Sequence, residues 1–247
     1  MGRLTDTVKH LIIINVIFFI GSQVYPMMYD WFSLFYFGSP RFQLWQPLTH
    51  MFMHGGFGHI LFNMFGLFMF GSPLEAQWGK KKFLFFYFSA GLGAALIHSL
   101  VNYYQVESVV ESLLAGGWSQ EDVTNFLTTG TGGSNAILEF VSQDKINSMY
   151  SAFNTPAVGA SGAIYGVLVA FGLMYPNAEL MLMFLPIPIK AKYFIPVIIL
   201  MDLFSGLTGF SLLGQGIAHW AHIGGALFGF IMAWYWKKNS FNDQRWN

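Results

Sequence analysis

The chain contains no cysteine, and this absence removes several kinds of chemistry. Disulfide bonds, thiolate catalysis and cysteine-ligated zinc or iron–sulfur sites are all excluded. Charge is also scarce, because only 10% of the 247 residues are charged, against roughly 25% in soluble domains. The 12 basic and 12 acidic residues balance, so no overall field points to nucleic acid as a partner. These shortages indicate a membrane protein whose functional charges are local.

Hydrophobic residues make up 54% of the chain and occur in long runs. A hydropathy window near ~20 residues, the length of a helix that crosses a bilayer, predicts an all-α membrane protein of one domain, 1–247, with six transmembrane helices. The first loop, the connection at about 29–57, is rich in aromatic residues, which indicates a segment lying in the membrane interface. The predicted spans are about 11–28, 58–78, 83–103, 158–175, 192–209 and 219–236.

The distribution of lysine and arginine supports this count, because cytoplasmic flanks carry most basic residues. With the N-terminus inside, only Arg41 and Lys145 of the 12 basic residues lie outside. Both termini are therefore expected in the cytoplasm. No small-x-small cleavage site follows the first apolar run and no organelle presequence precedes it, so we expect an uncleaved first span in a bacterial inner membrane.

An acidic insertion at 104–157 is expected on the extracytoplasmic side, between the third and fourth spans. Apolar residues at helical spacing predict a first short helix that ends at Gly116-Gly117. Ser119 and Asp122 resemble a capping box that opens a second helix, and a third is expected around 137–146. The insertion is therefore interpreted as a small helical lid, which covers the site or selects substrates.

A serine and a histidine stand where membrane helices are predicted. Ser161 lies in Gly159-Ala160-Ser161-Gly162, where the glycines allow a tight helix start and leave the hydroxyl accessible. His222 shares a helix face with Gly225 and Gly229, which lets a neighbouring helix approach. Alone, each residue has a structural interpretation as a hydrogen-bonding group between helices. Together they predict an intramembrane serine protease, because a nearby imidazole can take the proton that makes serine a nucleophile.

Two further roles beside this pair must be assigned or excluded: a rival base and a third, acidic member. His219, one turn earlier, is a rival base, but no glycine register as regular as that of His222 follows it. No carboxylate is spaced to complete a triad, because Glu75 and Asp202 both lie near the ends of predicted spans.

The second span supplies two polar side chains on one helix face, His59 and Asn63, which can stabilise the oxyanion of acyl transfer. A metal site is considered because His50, His54 and His59 cluster. The usual ligand spacing is missing, however, and Gly55-Gly56 is expected to break the helix. We expect no metal and no cofactor, and His54 is expected to tie the first loop to the second span through hydrogen bonds.

In combination, these motifs resemble the rhomboid family of intramembrane serine proteases, from about Trp45 to Trp236. They occur in the family's order: His54-x4-His59-x3-Asn63, then Gly159-Ala160-Ser161-Gly162 with Tyr165, then Ala221-His222-x-Gly224-Gly225-x3-Gly229.

The resemblance implies a Ser161–His222 dyad without a third acid, acting on transmembrane protein substrates within membrane lipid. It implies that Tyr165 packs on the histidine ring and that His59, Asn63 and the Ser161 backbone N–H form the oxyanion hole. Gly71-x3-Glu75-x3-Gly79 is similar to the family's motif at the cytoplasmic end, where the acid is structural.

Two departures from the family pattern are present. The first loop has Trp45-Gln46 where the family often has Trp-Arg, and the third loop is far longer than in minimal bacterial members. The fifth span and the glycine-rich segment 205–216 are interpreted as a lateral gate for substrate. The alternatives are a non-catalytic rhomboid-like protein that binds client helices and a small-solute transporter, for which inverted repeats would be expected.

Overall fold

The structure, a computed structural model, describes residues 3–130, 141–182, 185–210 and 217–239. The segment 131–140, with the first part of the predicted third insertion helix, and gate residues 211–216 lie outside the described residues. The helices are α1 (Asp6–Val24), α2 (Met28–Phe32), α3 (Gln46–Thr49) followed by a 3-10 turn (His50–Phe52), α4 (Phe57–Gly66) continued by a π turn (Leu67–Gly71) and α5 (Ser72–Trp78), α6 (Lys80–Ala115), α7 (Gln120–Thr129), α8 (Gln143–Asn154), α9 (Ser161–Met174), α10 (Ala191–Thr208) and α11 (His219–Asn239).

Helices occupy all six segments that the sequence predicts as spans. In the part of the chain that the structure describes, four are long and apolar enough to cross a membrane: α1, the helix over Phe57–Trp78, α6 and α10. The helix α9 is apolar but has only 14 residues. The fold is thus that of a mostly helical membrane protein, and the count of six spans stays a prediction.

The centre of the molecule is formed by α6, α9 and α11, and glycines allow α9 and α11 to touch through their backbones. A Cβ added at Gly225 would lie 1.8 Å from the carbonyl oxygen of Gly162, and one at Gly229 would lie 2.4 Å from the Cα of Gly166. The close approach predicted from the glycine spacing is therefore present. Any larger side chain at these positions would force the two helices apart.

The start of α1 is capped by a carboxylate from another helix. Glu75, in the middle of α5, accepts hydrogen bonds from the backbone N–H groups of Thr7 and Val8, each at 2.9 Å, and from the Thr5 hydroxyl at 2.5 Å. These N–H groups have no partner within the helix, so a buried carboxylate stabilises the helix start. This cap accounts for why α1 begins before the predicted residue 11, and it agrees with a structural role for Glu75.

The first loop is held together by Gln46, whose side chain is 0% exposed. Its amide oxygen accepts from the Phe35 N–H at 3.3 Å, and its amide nitrogen donates to the carbonyls of Asp30 and Arg41 at 3.2 and 3.0 Å. Where the resemblance leads us to expect an arginine, this chain therefore has a neutral group that satisfies several backbone groups of the loop. Arg41 instead lies 4.3 Å from the centre of the Phe35 ring.

The insertion begins as a continuation of a predicted span. The helix α6 runs unbroken for 36 residues to Ala115, so the expectation of a separate short helix at the start of the insertion is wrong: that segment continues the helix of the third predicted span. Neither glycine nor proline occurs between Gly93 and Gly116, so nothing in that stretch ends the helix. The capping box of Ser119 and Asp122 at the start of α7 is confirmed.

The three helices of the insertion enclose an apolar core of their own. That core also takes in Tyr36 of the first loop, whose ring lies 5.7 Å from Phe153 and whose hydroxyl donates to Glu107 at 3.2 Å. Burial, together with the neighbouring Glu107 carboxylate, raises the pKa of the Tyr36 hydroxyl. The other buried members of this apolar core are Val106, Val109, Val110, Leu113, Val123, Phe126, Leu127, Val141, Ile146, Met149, Ala152 and Phe153.

Two strands, β1 (Glu179–Leu182) and β2 (Leu185–Lys190), form an antiparallel pair between the end of α9 and the start of α10. Glu179 pairs with Lys190 at its open end. The last residue of β2, Lys190, directly precedes the first residue of α10, Ala191.

Candidate active site

Ser161 and His222 meet next to the backbone contact of Gly162 with Gly225. Ser161 is the first residue of α9, and His222 lies in the first turn of α11. The serine Oγ is 2.9 Å from the histidine Nε2, which is the distance of a hydrogen bond donated by the hydroxyl. His222 is 9% exposed, whereas Ser161 is only half-buried. The pair is therefore sheltered on the side of the base and open on the side of the nucleophile.

The ring of Tyr165, one turn after the serine on α9, stacks on the imidazole of His222. The ring centres are 4.1 Å apart and the planes are inclined by 12°. This is the packing that the resemblance implied for Tyr165. The stacked ring restricts tilting of the imidazole out of its plane, which helps to keep the Nε2 atom directed at Ser161.

A carboxylate also reaches the pair, and the expectation that none would do so is wrong. Asp202 lies within α10 and is 5% exposed. Its Oδ1 accepts from the Nδ1 of His222 at 3.2 Å and from the Nδ1 of His219 at 2.5 Å, and its Oδ2 accepts from the Tyr165 hydroxyl. The rival base His219 therefore bonds to this acid, whereas His222 bonds to both the acid and the serine.

Sequence spacing could not reveal the contact of Asp202, because α10 and α11 are joined by a connection whose path the sequence does not define. One signal was available. An acidic residue inside an otherwise apolar helix is expensive in a membrane and is by default a functional candidate.

On the other side of Ser161, Gly159 brings the backbone close to His59. The φ angle of Gly159 is +124°, a conformation that favours glycine, and an added Cβ would lie 2.8 Å from the Nε2 of His59 and 3.5 Å from the Ser161 Oγ. The backbone N–H of Gly159 donates to the His50 carbonyl at 2.9 Å, which ties this turn to the first loop.

His59 offers a donor near the serine, and Asn63 follows one turn later on α4. The Gly55 N–H lies 3.4 Å from the Nδ1 of His59, which assigns the proton to Nε2, the nitrogen nearest Gly159. The Nδ2 of Asn63 is buried and has no hydrogen-bond partner among the described residues. A buried amide without a partner is costly, and it fits a group that waits for a ligand oxygen.

His54 supports this arrangement from the first loop. Its ring lies 5.1 Å from that of His59 with an edge-on orientation, and its backbone carbonyl accepts from the Tyr29 hydroxyl at 2.5 Å. Burial lowers the pKa of the His54 imidazole to about 4, so the ring is neutral at pH 7. The loop is thus joined to α4 by ring contact, and the side-chain hydrogen bond of His54 is local, to the Phe52 carbonyl at 3.3 Å.

One group of side chains in the described residues has the geometry to hold a metal ion. The ligand atoms of Asp202, His219 and His222 all lie within 4.8 Å of one another. Hydrogen bonds from both imidazoles to the carboxylate already account for this geometry. The histidine cluster that the sequence presented, His50, His54 and His59, is not such a group.

A model of the rhomboid domain matches residues 41–239, which is most of the chain. This chain belongs to the rhomboid family. The resemblance read from the motifs is therefore confirmed, and this rhomboid is an integral membrane protein with several spans.

Two kinds of relatives are similar to this rhomboid. The rhomboid protease AarA of Providencia stuartii is 26% identical over 231 residues, or 90% of this chain and 69% of that protein. The mitochondrial Rhomboid protein 1 of Saccharomyces cerevisiae is 30% identical over 121 residues, and the human mitochondrial presenilin-associated rhomboid-like protein is 31% identical over 142 residues. This chain spans only 34% of the length of each mitochondrial relative.

Proposed function

We propose that this rhomboid is an intramembrane serine endopeptidase that cleaves transmembrane protein substrates near the outer face of the membrane. The observation that carries the proposal is the 2.9 Å hydrogen bond from Ser161 to the Nε2 of His222. A serine bonded to a neutral imidazole is the arrangement required for an activated nucleophile. The family membership and the similarity to a rhomboid protease support the same activity.

In the proposed reaction, the Ser161 Oγ attacks the scissile carbonyl carbon while the Nε2 of His222 takes the hydroxyl proton. The carbonyl oxygen becomes an oxyanion, which accepts hydrogen bonds from the His59 Nε2–H, the Asn63 amide and the Ser161 backbone N–H. His222 then gives its proton to the leaving amine, which produces an acyl-enzyme. Water, deprotonated by the same imidazole, hydrolyses the ester and regenerates the serine.

The short length of α9 supports a site below the membrane surface. Fourteen residues rise only about 21 Å, against about 30 Å for the hydrocarbon core, so a helix that begins at Ser161 cannot cover the whole thickness. The turn before it is not helical, and such backbone is tolerated at membrane depth only inside protein or beside a water-filled cavity. Buried Ala157 and Ala160 and the bond from Gly159 to the first loop satisfy the first condition. A cavity above Ser161 would admit the water that hydrolysis needs.

Substrate is proposed to enter from the lipid past α10. Only 22% of the apolar window of α10 is buried, the lowest share among the four candidate spans, so much of this helix has no protein covering it. A cross-link between α10 and α4 should therefore block cleavage of a transmembrane substrate. Unchanged cleavage in the cross-linked protein would rule out this entry route.

The non-catalytic alternative, a rhomboid-like protein that binds client helices, is tested by the same variants as the protease. Purified protein in lipid vesicles is mixed with a single-span substrate, and the parent is compared with Ser161→Ala and His222→Ala. We expect both variants to lose cleavage while they keep the elution profile and melting temperature of the parent. Ser72→Ala, at another buried serine, is the matched control and should cleave normally.

A parent that neither cleaves any of a panel of single-span substrates nor reacts with a fluorophosphonate would favour the client-binding alternative. Cleavage that survives in Ser161→Ala would assign the activity to another nucleophile. A transporter would show solute flux through vesicles, unaffected by the Ser161 substitution.

A further inference from the structure

A buried carboxylate lies behind the proposed dyad, on a helix that contributes no other group to it. Asp202 belongs to α10, whereas Ser161 and Tyr165 belong to α9 and His222 to α11. An unpaired carboxylate in such a place would be strongly unfavourable, and the residue is only 5% exposed. It accepts three hydrogen bonds, from His219, His222 and Tyr165. All three donors therefore stabilise the charged form of the acid.

We propose that Asp202 is a positioning residue for His222, so that this rhomboid uses a Ser161–His222–Asp202 triad in place of an unsupported dyad. The inference rests on the proposed protease function. It adds a third residue that the family resemblance did not imply.

The contact determines which imidazole nitrogen holds the proton. When the Nδ1 of His222 donates to the Asp202 Oδ1 at 3.2 Å, the Nε2 is left with its lone pair and can accept from Ser161 at 2.9 Å. The opposite tautomer would present a proton to the hydroxyl and could not act as a base. The carboxylate also stabilises the imidazolium that forms when the serine proton is taken.

The same carboxylate holds the ring that covers His222. The Tyr165 hydroxyl bonds to the Oδ2 of Asp202 while its ring stacks 4.1 Å from the imidazole. Asp202 therefore acts on His222 twice, directly through Nδ1 and through the stacked ring. Because the acid comes from α10, an outward displacement of that helix would remove both supports from the base.

A purely structural role is the alternative, since His219 donates to the same oxygen at the shorter distance of 2.5 Å. The two roles make different predictions for Asp202→Asn and His219→Gln. If the acid only anchors α10 to α11, both variants should lose stability and change activity alike. If it positions His222, then Asp202→Asn should lower kcat while KM is kept, and His219→Gln should have a small effect.

The experiment measures the rate at which a fluorophosphonate labels Ser161, together with kcat and KM on a single-span substrate, in the full chain in lipid. Parent, Ser161→Ala, Asp202→Asn and His219→Gln are compared at equal amounts of folded protein. We expect Asp202→Asn to reduce both the labelling rate and kcat on the order of 100-fold, with KM within about threefold of the parent. His219→Gln should stay within about fivefold of the parent.

Labelling of Asp202→Asn at the parent's rate would overturn the inference and leave the protease proposal standing. A parent that is not labelled at Ser161 would overturn the protease proposal and, with it, the proposed triad. If Asp202→Asn does not fold, Asp202→Ala is assayed with and without formate, which can occupy the vacated carboxylate position. A rise in labelling rate with formate is the expected result, and the absence of any rise would contradict the positioning role.

Discussion

A single glycine, Gly159, lets the backbone before Ser161 of α9 approach the side chain of His59 of α4. Gly159 has a φ of +124°, and a Cβ there would come within 2.8 Å of His59. We expect Gly159→Ala to lower kcat at least about 10-fold, because even a shift of about 1 Å in a catalytic group can be that costly. Cleavage of a single-span substrate and fluorophosphonate labelling are the measurements.

Gly58→Ala is the matched control for this prediction. Gly58 lies in α4 beside His59, and an added Cβ would meet no atom within 4 Å. Alanine in a helix is favoured over glycine by up to about 1 kcal/mol, so this variant should cleave normally and melt no earlier than the parent. Equal losses in both variants would show that any bulk near His59 is harmful and that the Gly159 conformation is not special.

The unpartnered amide of Asn63 separates a catalytic role from a structural one. Its Nδ2 makes no hydrogen bond among the described residues, so Asn63→Ala has no bond of that nitrogen to lose. As an oxyanion donor, however, it should contribute to the transition state, and one such donor is worth roughly 10²-fold in kcat. We expect kcat to fall by about that factor with an unchanged melting temperature. A lowered melting temperature with normal kcat would assign Asn63 to the fold.

Among the structural elements, the first loop is held by one neutral side chain, Gln46, at the position where the family often has arginine. Gln46 bonds backbone groups on both sides of the loop and is fully buried. Loss of one net hydrogen bond costs about 1 kcal/mol, and more where a buried group is left unpaired. We therefore expect Gln46→Ala to reduce stability by about 2–4 kcal/mol in detergent, measured by thermal or denaturant unfolding.

Gln43→Ala provides the comparison for Gln46, since Gln43 is an exposed glutamine three residues earlier on the same loop. It should leave the unfolding transition unchanged. Gln46→Arg should also destabilise the protein, because a larger charged group would enter a site with 0% exposure. A stable Gln46→Arg variant would mean that the loop can adopt the family's arginine anchor without rearrangement.

The elements also show what the sequence could predict. Glycine spacing correctly predicted the contact of α9 with α11, because backbone contact requires small residues in register at Gly162, Gly166, Gly225 and Gly229. The extent of α6 was missed because hydropathy ends a helix where apolar residues thin out, while the helix itself ends at Gly116. Asp202 was missed for a different reason. Its three donors come from two other helices, so its role depends on packing that no local pattern encodes.

The arrangement of the complete protein in the membrane remains a prediction, and the lack of cysteine makes it simple to test. Every single-cysteine variant starts from a background without reactive thiols. Glu121 is exposed on α7 of the insertion, and Lys81 is exposed at the start of α6, at the opposite end of the helix bundle. If basic residues mark the cytoplasmic side, these two positions lie on opposite faces of the membrane.

We expect a membrane-impermeant maleimide, applied to intact bacterial cells that express each variant, to label Glu121→Cys and to leave Lys81→Cys unlabelled. After the cells are opened, both should react, which controls for the accessibility of each thiol. The reverse pattern would invert the molecule and place both Ser161 and the insertion at the cytoplasmic face, which would overturn the proposed cleavage near the outer face. Labelling of both in intact cells would mean that α6 does not separate the two faces, and the six-span arrangement would have to be abandoned.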